Sequence, residues 1–162
     1  MSKTIIGIMG PGDASETDVN NGFEMGKMIA EQGWVLLTGG REEGVMGAAN
    51  KGAMSKGGLT IGVLPSSNTK GMSADVDIPI ITDMGSGRNN INVLSSNVVV
   101  ACGIAAGTAS EIALAIKAGK MVILLCDHDE GIAFFRSIGS KQLIIAHDPN
   151  DAMIHLKNIL EI

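Results

Sequence analysis

The chain has 162 residues, of which 45% are hydrophobic and 2% aromatic, and its formal net charge is −5. This length and apolar content predict one folded domain, residues 1–162, with a sizeable core, and they exclude a disordered chain. The acidic balance and the shortage of aromatic rings disfavour nucleic-acid binding, because such binding needs a basic surface or base-stacking side chains.

Strand and helix patterns alternate along the whole chain. Apolar runs predict strands at 4–9, 34–38, 59–64, 76–81, 98–102, 120–126 and 143–146. Periodic apolar residues and capping signals predict helices at 17–32, 45–55, 88–96, 109–118, 130–137 and 149–160. The alternation predicts an α/β fold, a doubly wound and mainly parallel Rossmann-like sheet with helices on both faces. Ligands of such folds bind at the carboxyl ends of the strands.

Three details of the predicted elements are specific enough to be checked. Helix 45–55 is rich in Ala and Gly, which permits close packing. Ile91 and Leu94 are expected to face the core from helix 88–96. The polar, glycine-containing segment 65–74 is expected to be a loop and a candidate lid.

The segment from Asn97 to Glu111 contains the strongest candidate site. An apolar strand ends in small residues, followed by Gly107-Thr108 and a helical pattern. Small residues let backbone N–H groups approach a ligand, and a helix N-terminus attracts anions such as phosphate. Thr108 would cap the helix or donate its hydroxyl to that phosphate, with Glu111 on the first helical turn. The alternative is an ordinary turn in which Thr-x-x-Glu forms a capping box.

Two other glycine-rich turns follow predicted strands. The first, at 10–15, matches the dinucleotide pattern G-x-G-x-x-G only in part, and the second strand does not end in an acidic residue. A typical NAD site is therefore rejected, which leaves a phosphate or nucleobase wall or a plain turn. The second turn, at 39–47, has four glycines in nine positions. Ligand contact is favoured there over tight helix–strand packing.

Arg88 follows the flexible run Gly85-Ser86-Gly87 and precedes the candidate phosphate loop. Because guanidinium groups bind phosphate or carboxylate in a bidentate manner, Arg88 is a candidate ligand-binding residue. The alternative is an ordinary surface arginine.

Cysteine and histidine chemistry is not indicated by the sequence. Cys102 and Cys126 form neither a zinc motif nor a disulfide framework and are interpreted as small core residues. The histidines 128, 147 and 155 lack metal-ligand spacing, and 127–130 is interpreted as a solvated loop with a helix cap. We predict no protein-bound metal. Because neither a signal peptide nor a membrane-length apolar run is found, a cytoplasmic protein is expected.

Several motifs resemble the Lonely Guy and lysine decarboxylase-like superfamily over nearly the whole chain. They are Gly39-Gly40 with residues 44–49, then Arg88-Asn89, then Gly107-Thr108-Ala109-Ser110-Glu111. Residues 5–10, 34–40 and 88–96 are similar to the molybdenum cofactor carrier proteins within that superfamily.

This resemblance implies a binding protein for a small phosphate-bearing ligand, the molybdenum cofactor, which it would store or deliver. The metal would arrive with the cofactor. The candidate binding residues are Gly10, Gly12, Gly39, Gly40, Arg88, Asn89, Gly103, Ala106, Gly107, Thr108 and Glu111. The resemblance also implies a homo-oligomer, a dimer or tetramer, and a molybdoenzyme as recipient.

The alternative implied by the superfamily is a nucleoside 5′-monophosphate phosphoribohydrolase, an N-glycosidic hydrolase. Arg88 and Glu111 would then be catalytic, with Glu111 stabilising an oxocarbenium-like state. The hydrolase members have Pro-Gly-Gly-x-Gly-Thr-x-x-Glu and an Arg-Lys pair. This chain has Gly103-Ile104-Ala105-Ala106 before Gly107-Thr108, and Asn89 after the arginine, which argues against hydrolysis.

Overall fold

The computed structural model describes residues 2–162, which form one seven-stranded parallel sheet flanked by six helices. The strands are β1 (Ile5–Met9), β2 (Val35–Thr38), β3 (Thr60–Leu64), β4 (Ile78–Ile81), β5 (Val98–Cys102), β6 (Val122–Leu125) and β7 (Leu143–Ile145). The helices are α1 (Glu16–Glu31), α2 (Gly44–Met54), α3 (Arg88–Ser95), α4 (Ala106–Lys117), α5 (Asp129–Gly139) and α6 (Pro149–Leu160). The predicted fold class is confirmed.

The strand order is β4-β3-β2-β1-β5-β6-β7, so the direction of winding reverses between β1 and β5. These two strands are adjacent and parallel, with Ile6 opposite Val98 and Met9 opposite Ala101. The loops that leave them therefore separate at the carboxyl edge of the sheet. In open α/β sheets this reversal creates a crevice where ligands bind.

The core lies on both faces of the central strands, which explains why β5 and β6 are continuously apolar. Val98 and Val100 pack with α1, α2 and α6 on one face, together with Met25. Val99 packs with α3, α4 and α5 on the other face, together with Ile112.

The expected close packing of α2 is found against α1. A Cβ atom added to Gly26 would lie 2.0 Å from the carbonyl oxygen of Ala49, and one added to Gly52 would lie 2.0 Å from that of Phe23. The glycines thus let the two backbones approach without intervening side chains.

The predicted inward face of α3 was wrong in part. Leu94 is 53% exposed, whereas Asn89, Asn92 and Val93 are buried. The reason is that the inner face of α3 is largely polar, so the spacing of its apolar residues did not indicate which face of the helix is buried. Within residues 2–162, no helix combines the length and apolar character needed to cross a membrane.

Candidate functional site

The start of α4 differs from the capping arrangement suggested by Thr-x-x-Glu. Ala105 has an extended backbone, with φ −135° and ψ 179°, and the helix begins directly after it without a side-chain cap. Thr108 is therefore the third residue of the helix, and Glu111 lies on the second turn. The predictions that Thr108 caps the helix and that Glu111 occupies the first turn are wrong. The first backbone N–H groups of a helix have no intrahelical partner and are free to bind an anion.

A cavity of about 200 Å³ lies between the loops that follow β1 and β5, at the reversal of the strand order. Seven predicted residues line it: Gly10, Gly12, Arg88, Asn89, Gly107, Thr108 and Glu111. Four residues that were not predicted also line it: Pro11, Met46, Ser86 and Ala105.

Thr108 supplies a buried hydroxyl group without a partner. The residue is 2% exposed, and no atom of residues 2–162 forms a hydrogen bond with its Oγ1. A buried hydroxyl left unpaired costs about 1–3 kcal/mol. Since Thr108 lines the cavity, a ligand there is in position to satisfy it.

Arg88 is fixed at the cavity wall by hydrogen bonds. Its Nε donates to the carbonyl oxygen of Val63 at 2.9 Å, and its Nη1 donates to Oδ1 of Asn89. Asn89 in turn donates from Nδ2 to Oγ of Ser110 at 2.9 Å, which joins α3 to α4. A Cβ atom on Gly39 would lie 2.8 Å from Nη2 of Arg88. Gly39 therefore provides the space that the guanidinium occupies.

Burial shifts the pKa values of the two charged groups of the cavity, Arg88 and Glu111, in opposite directions. It lowers the pKa of the Arg88 guanidinium, an effect that the nearby Glu111 carboxylate opposes and Arg41 reinforces. It raises the pKa of Glu111, although the hydrogen bond from Asn92 and the charge of Arg88 act in the other direction. Glu111 is 7% exposed, and its Oε1 accepts from Nδ2 of Asn92 at 2.9 Å. The site thus holds a carboxyl group that binds a proton more readily than an exposed one.

Four predicted binding residues, namely Gly39, Gly40, Gly103 and Ala106, do not line the cavity. Gly40 has φ +76° and packs on Gly62, and Gly103 has φ +79° and packs on Asp18. Their role is to permit these turns and close contacts. Ala106 is exposed at the start of α4.

Sequence reasoning missed Asn92, which holds Glu111. Asn92 is fully buried and lies one helical turn after Arg88. That i, i+4 spacing on one helix face was a signal that could have identified it.

Comparisons with known proteins place the chain in a family. A family model described as the SLOG cluster4 family matches residues 3–153. The chain belongs to the SLOG cluster4 family. A protein from Archaeoglobus fulgidus is 46% identical over 121 residues, which are 74% of this chain and 78% of that protein.

Two solved structures are similar to this SLOG cluster4 protein over 99% of each chain. The molybdenum cofactor binding protein from Rippkaea orientalis is 52% identical, with a TM-score of 0.97. The Moco carrier protein from Chlamydomonas reinhardtii is 51% identical, with a TM-score of 0.93. These similarities confirm the resemblance to molybdenum cofactor carrier proteins.

A larger cavity of about 470 Å³ lies beside the ends of β6 and β7. Asp18, Asp127 and Asp129 line it, together with apolar residues such as Ile132. Three carboxylates repel an anion, so the larger cavity is a poorer candidate than the smaller one for binding a phosphate group.

The two cysteines are expected to react slowly or not at all in the folded protein. Cys102 is fully buried and Cys126 is half-buried, and burial raises the pKa of both thiols. Because the thiolate is the reactive form, iodoacetamide at neutral pH is expected to leave Cys102 unlabelled and to label Cys126 slowly. In urea both should react, as measured by mass spectrometry. Rapid labelling of Cys102 in the folded state would contradict this view of the core.

No group of three or more His, Cys, Asp and Glu side chains within residues 2–162 is arranged to hold a metal ion.

Proposed function

We propose that this protein binds the molybdenum cofactor as a carrier or storage protein and holds the cofactor's terminal phosphate at the start of α4. The observation that carries the proposal is the unpaired hydroxyl of Thr108, buried in a cavity beside an uncapped helix N-terminus. The full-length similarity to a molybdenum cofactor binding protein and to a Moco carrier protein supports the identity of the ligand.

The residues present suit a phosphate group. Gly107 offers backbone N–H at the helix start, Thr108 offers its hydroxyl, and Arg88 offers a guanidinium. The cavity of about 200 Å³ is smaller than the roughly 300–1,000 Å³ typical of pockets for whole small molecules. It therefore suits the phosphate end, and the remainder of the ligand would extend beyond the cavity mouth.

The residues of the site favour binding over hydrolysis. The hydrolase members have Pro-Gly-Gly-x-Gly-Thr-x-x-Glu and an Arg-Lys pair, whereas this chain has Gly103-Ile104-Ala105-Ala106 before Gly107-Thr108 and Asn89 after Arg88. In place of a lysine, the uncharged Asn89 accepts a hydrogen bond from Arg88 and donates one to Ser110. We therefore infer a protein that binds its ligand without turning it over, and we expect no base release from nucleoside 5′-monophosphates.

We also propose that the carrier is a cytoplasmic homo-oligomer that delivers the cofactor to a molybdoenzyme. The edge strand β4 supports association with a second copy, because Ile78, Ile80 and Ile81 are 43%, 41% and 50% exposed there. Exposed apolar groups on an edge strand are a typical association surface.

Anaerobic incubation with molybdenum cofactor, followed by a sizing column and a pterin assay, tests the proposed function. The wild-type protein is expected to retain cofactor at a near-stoichiometric level. Arg88→Met is expected to lower the affinity about 10- to 100-fold, as loss of a charged hydrogen bond predicts. The matched control is Arg136→Met, which removes the same charge from the exposed surface of α5.

Folded wild-type protein that retains no cofactor would refute the carrier proposal. Equal losses in both arginine variants would refute the specific role of Arg88. Release of free base from a nucleoside monophosphate would instead favour the hydrolase.

A further inference from the structure

We propose that Arg41 forms a second anion-binding subsite just outside the cavity, and that the Glu43 carboxylate fills this subsite until a ligand with two anionic groups displaces it. The inference rests on the proposed phosphate site at the start of α4 and names a second group of the ligand that the protein recognises. Arg41 binds that group, and Glu43 is its competitor within the protein.

The ion pair of Arg41 and Glu43 lies next to the loop that forms one wall of the cavity. Nη2 of Arg41 lies 3.2 Å from Oε1 of Glu43. The other carboxylate oxygen, Oε2, lies 3.4 Å from the position that a Cβ would take on Gly12, which lines the cavity. The Glu43 carboxylate therefore bridges Arg41 and this wall.

The guanidinium group of Arg41 is only partly used in the free protein. Its Nη2 donates to Oε1 of Glu43, but its Nε is buried and has no hydrogen-bond partner among residues 2–162. These two nitrogens lie on the same edge of the guanidinium plane, which is suited to bind two oxygens at once. A ligand group with several anionic oxygens would satisfy both donors, whereas Glu43 satisfies one.

Backbone pairing with the segment 71–73 fixes the position from which the Arg41 side chain extends. Arg41 forms an antiparallel bridge with Met72, and the N–H of Ser73 donates to the carbonyl oxygen of Gly40 at 2.9 Å. A side chain held in place before the ligand arrives loses less conformational entropy on binding. The pairing therefore favours Arg41 as a binding group.

The start of α2 and Arg88 add positive potential at the same place. Glu43 is the residue before α2 but does not cap it through its side chain, and Met46, the third residue of α2, lines the cavity. An uncapped helix N-terminus attracts anions. Arg41 is also close enough for its charge to lower the pKa of Arg88. A ligand with two anionic groups would relieve the repulsion between these two arginines.

The other side of the cavity disfavours a second anionic group. A Cβ on Gly103 would lie 2.5 Å from Oδ2 of Asp18, and the carboxylates of Asp18, Asp127 and Asp129 line the larger cavity beyond it. Strand order places these carboxylates on the β6 side and Arg41 on the β2 side. A ligand with its phosphate at the start of α4 therefore directs its second anionic group toward Arg41.

The ligand class that fits both subsites is a phosphate monoester with a second group rich in anionic oxygens. In the molybdenum cofactor that group is the molybdenum centre with its oxygen ligands, which arrives as cargo. A phosphate monoester stays anionic near neutral pH whether or not it carries a proton, and an arginine stays protonated there. The arrangement therefore accepts the proposed ligand without a particular protonation state.

The test compares the affinities for inorganic phosphate and sodium tripolyphosphate by titration calorimetry of the full-length protein, near neutral pH and at equal ionic strength. Inorganic phosphate carries one anionic group, whereas tripolyphosphate carries several on a flexible chain. The wild type is expected to bind tripolyphosphate at least about tenfold more tightly than phosphate, the equivalent of one charged hydrogen bond.

Arg41→Met is expected to weaken tripolyphosphate binding about tenfold and phosphate binding less than about threefold, because only the longer anion reaches the second subsite. Glu43→Gln is expected to strengthen tripolyphosphate binding about two- to fivefold, because the competing exposed ion pair is lost. The matched controls are Arg136→Met on α5 and Glu31→Gln, which removes a carboxylate from an exposed ion pair with Lys56. Both controls are expected to change either affinity less than about twofold, because salt screens distant charges.

Wild-type affinity for tripolyphosphate in Arg41→Met would overturn the second subsite, and so would a wild type that does not prefer tripolyphosphate. Unchanged or weaker tripolyphosphate binding in Glu43→Gln would overturn the role of Glu43 as competitor. Equal changes in the matched controls would show a general effect of charge and would also overturn the proposal.

Cofactor retention separates these results from the proposed function. If the wild type and Arg41→Met retain cofactor equally well, the carrier function stands and only the second subsite fails. If the wild type retains no cofactor while the tripolyphosphate results are as expected, the carrier function fails and a site for a ligand with two anionic groups remains.

Discussion

Gly26→Ala is expected to lower the free energy of unfolding by about 3 kcal/mol, at the upper end of the usual cost of overpacking. The added Cβ would lie 2.0 Å from the carbonyl oxygen of Ala49, which is backbone and cannot rotate away. Relief requires α1 and α2 to separate, although their approach is also fixed where Gly52 meets Phe23. Urea unfolding followed by circular dichroism measures the effect.

Gly107→Ala is the matched control for that substitution. Apart from its chain neighbours and the backbone of α4, no atom of the described residues lies within 4 Å of the position that a Cβ would take on Gly107, which is in the first turn of α4. Alanine is expected to stabilise the protein there by about 0.5–1 kcal/mol, because it restricts the unfolded chain and favours helix. If Gly26→Ala were as stable as the wild type, the contact between α1 and α2 would be looser than described.

Thr108→Val is expected to change stability and ligand affinity in opposite directions. It removes a buried hydroxyl that has no protein partner, so the free energy of unfolding is expected to rise by about 1 kcal/mol. It also removes the proposed donor to the ligand phosphate, so the affinity for molybdenum cofactor is expected to fall about tenfold or more. Urea unfolding of the free protein and anaerobic cofactor titration give the two values.

Thr60→Val is the matched control, because it makes the same substitution at a hydroxyl group that has hydrogen-bond partners within the protein. Oγ1 of Thr60 donates to the carbonyl oxygen of Asp75 at 2.7 Å and approaches Oδ2 of Asp77 at 3.0 Å, in a fully buried position. This variant is expected to lose about 1–3 kcal/mol of stability and to keep its ligand affinity. Thr108→Val behaving like Thr60→Val would show that the Thr108 hydroxyl already has a partner in the free protein.

Local sequence patterns were sufficient to predict most of the fold. Strand β5 (Val98–Cys102) and helix α6 (Pro149–Leu160) have the predicted bounds. An uninterrupted β-branched run marks the first, and Pro149 in the first helical turn marks the second. Alternating strands and helices also indicated the parallel sheet, because parallel strands need a crossover between them. Seven of the eleven predicted binding residues line one cavity, since carboxyl ends of parallel strands share one edge.

Tertiary structure alone decided how those residues are used. Strand order places the loops after β1 and β5 side by side, although about ninety residues separate them in the chain. The extended backbone of Ala105 starts α4 early, which leaves the Thr108 hydroxyl unpaired where local sequence suggested a cap. The Glu111 partner Asn92 lies on a different helix, and the space for Arg88 comes from Gly39 on a different loop. Such contacts depend on packing between distant segments, which propensities and periodicities within one segment do not encode.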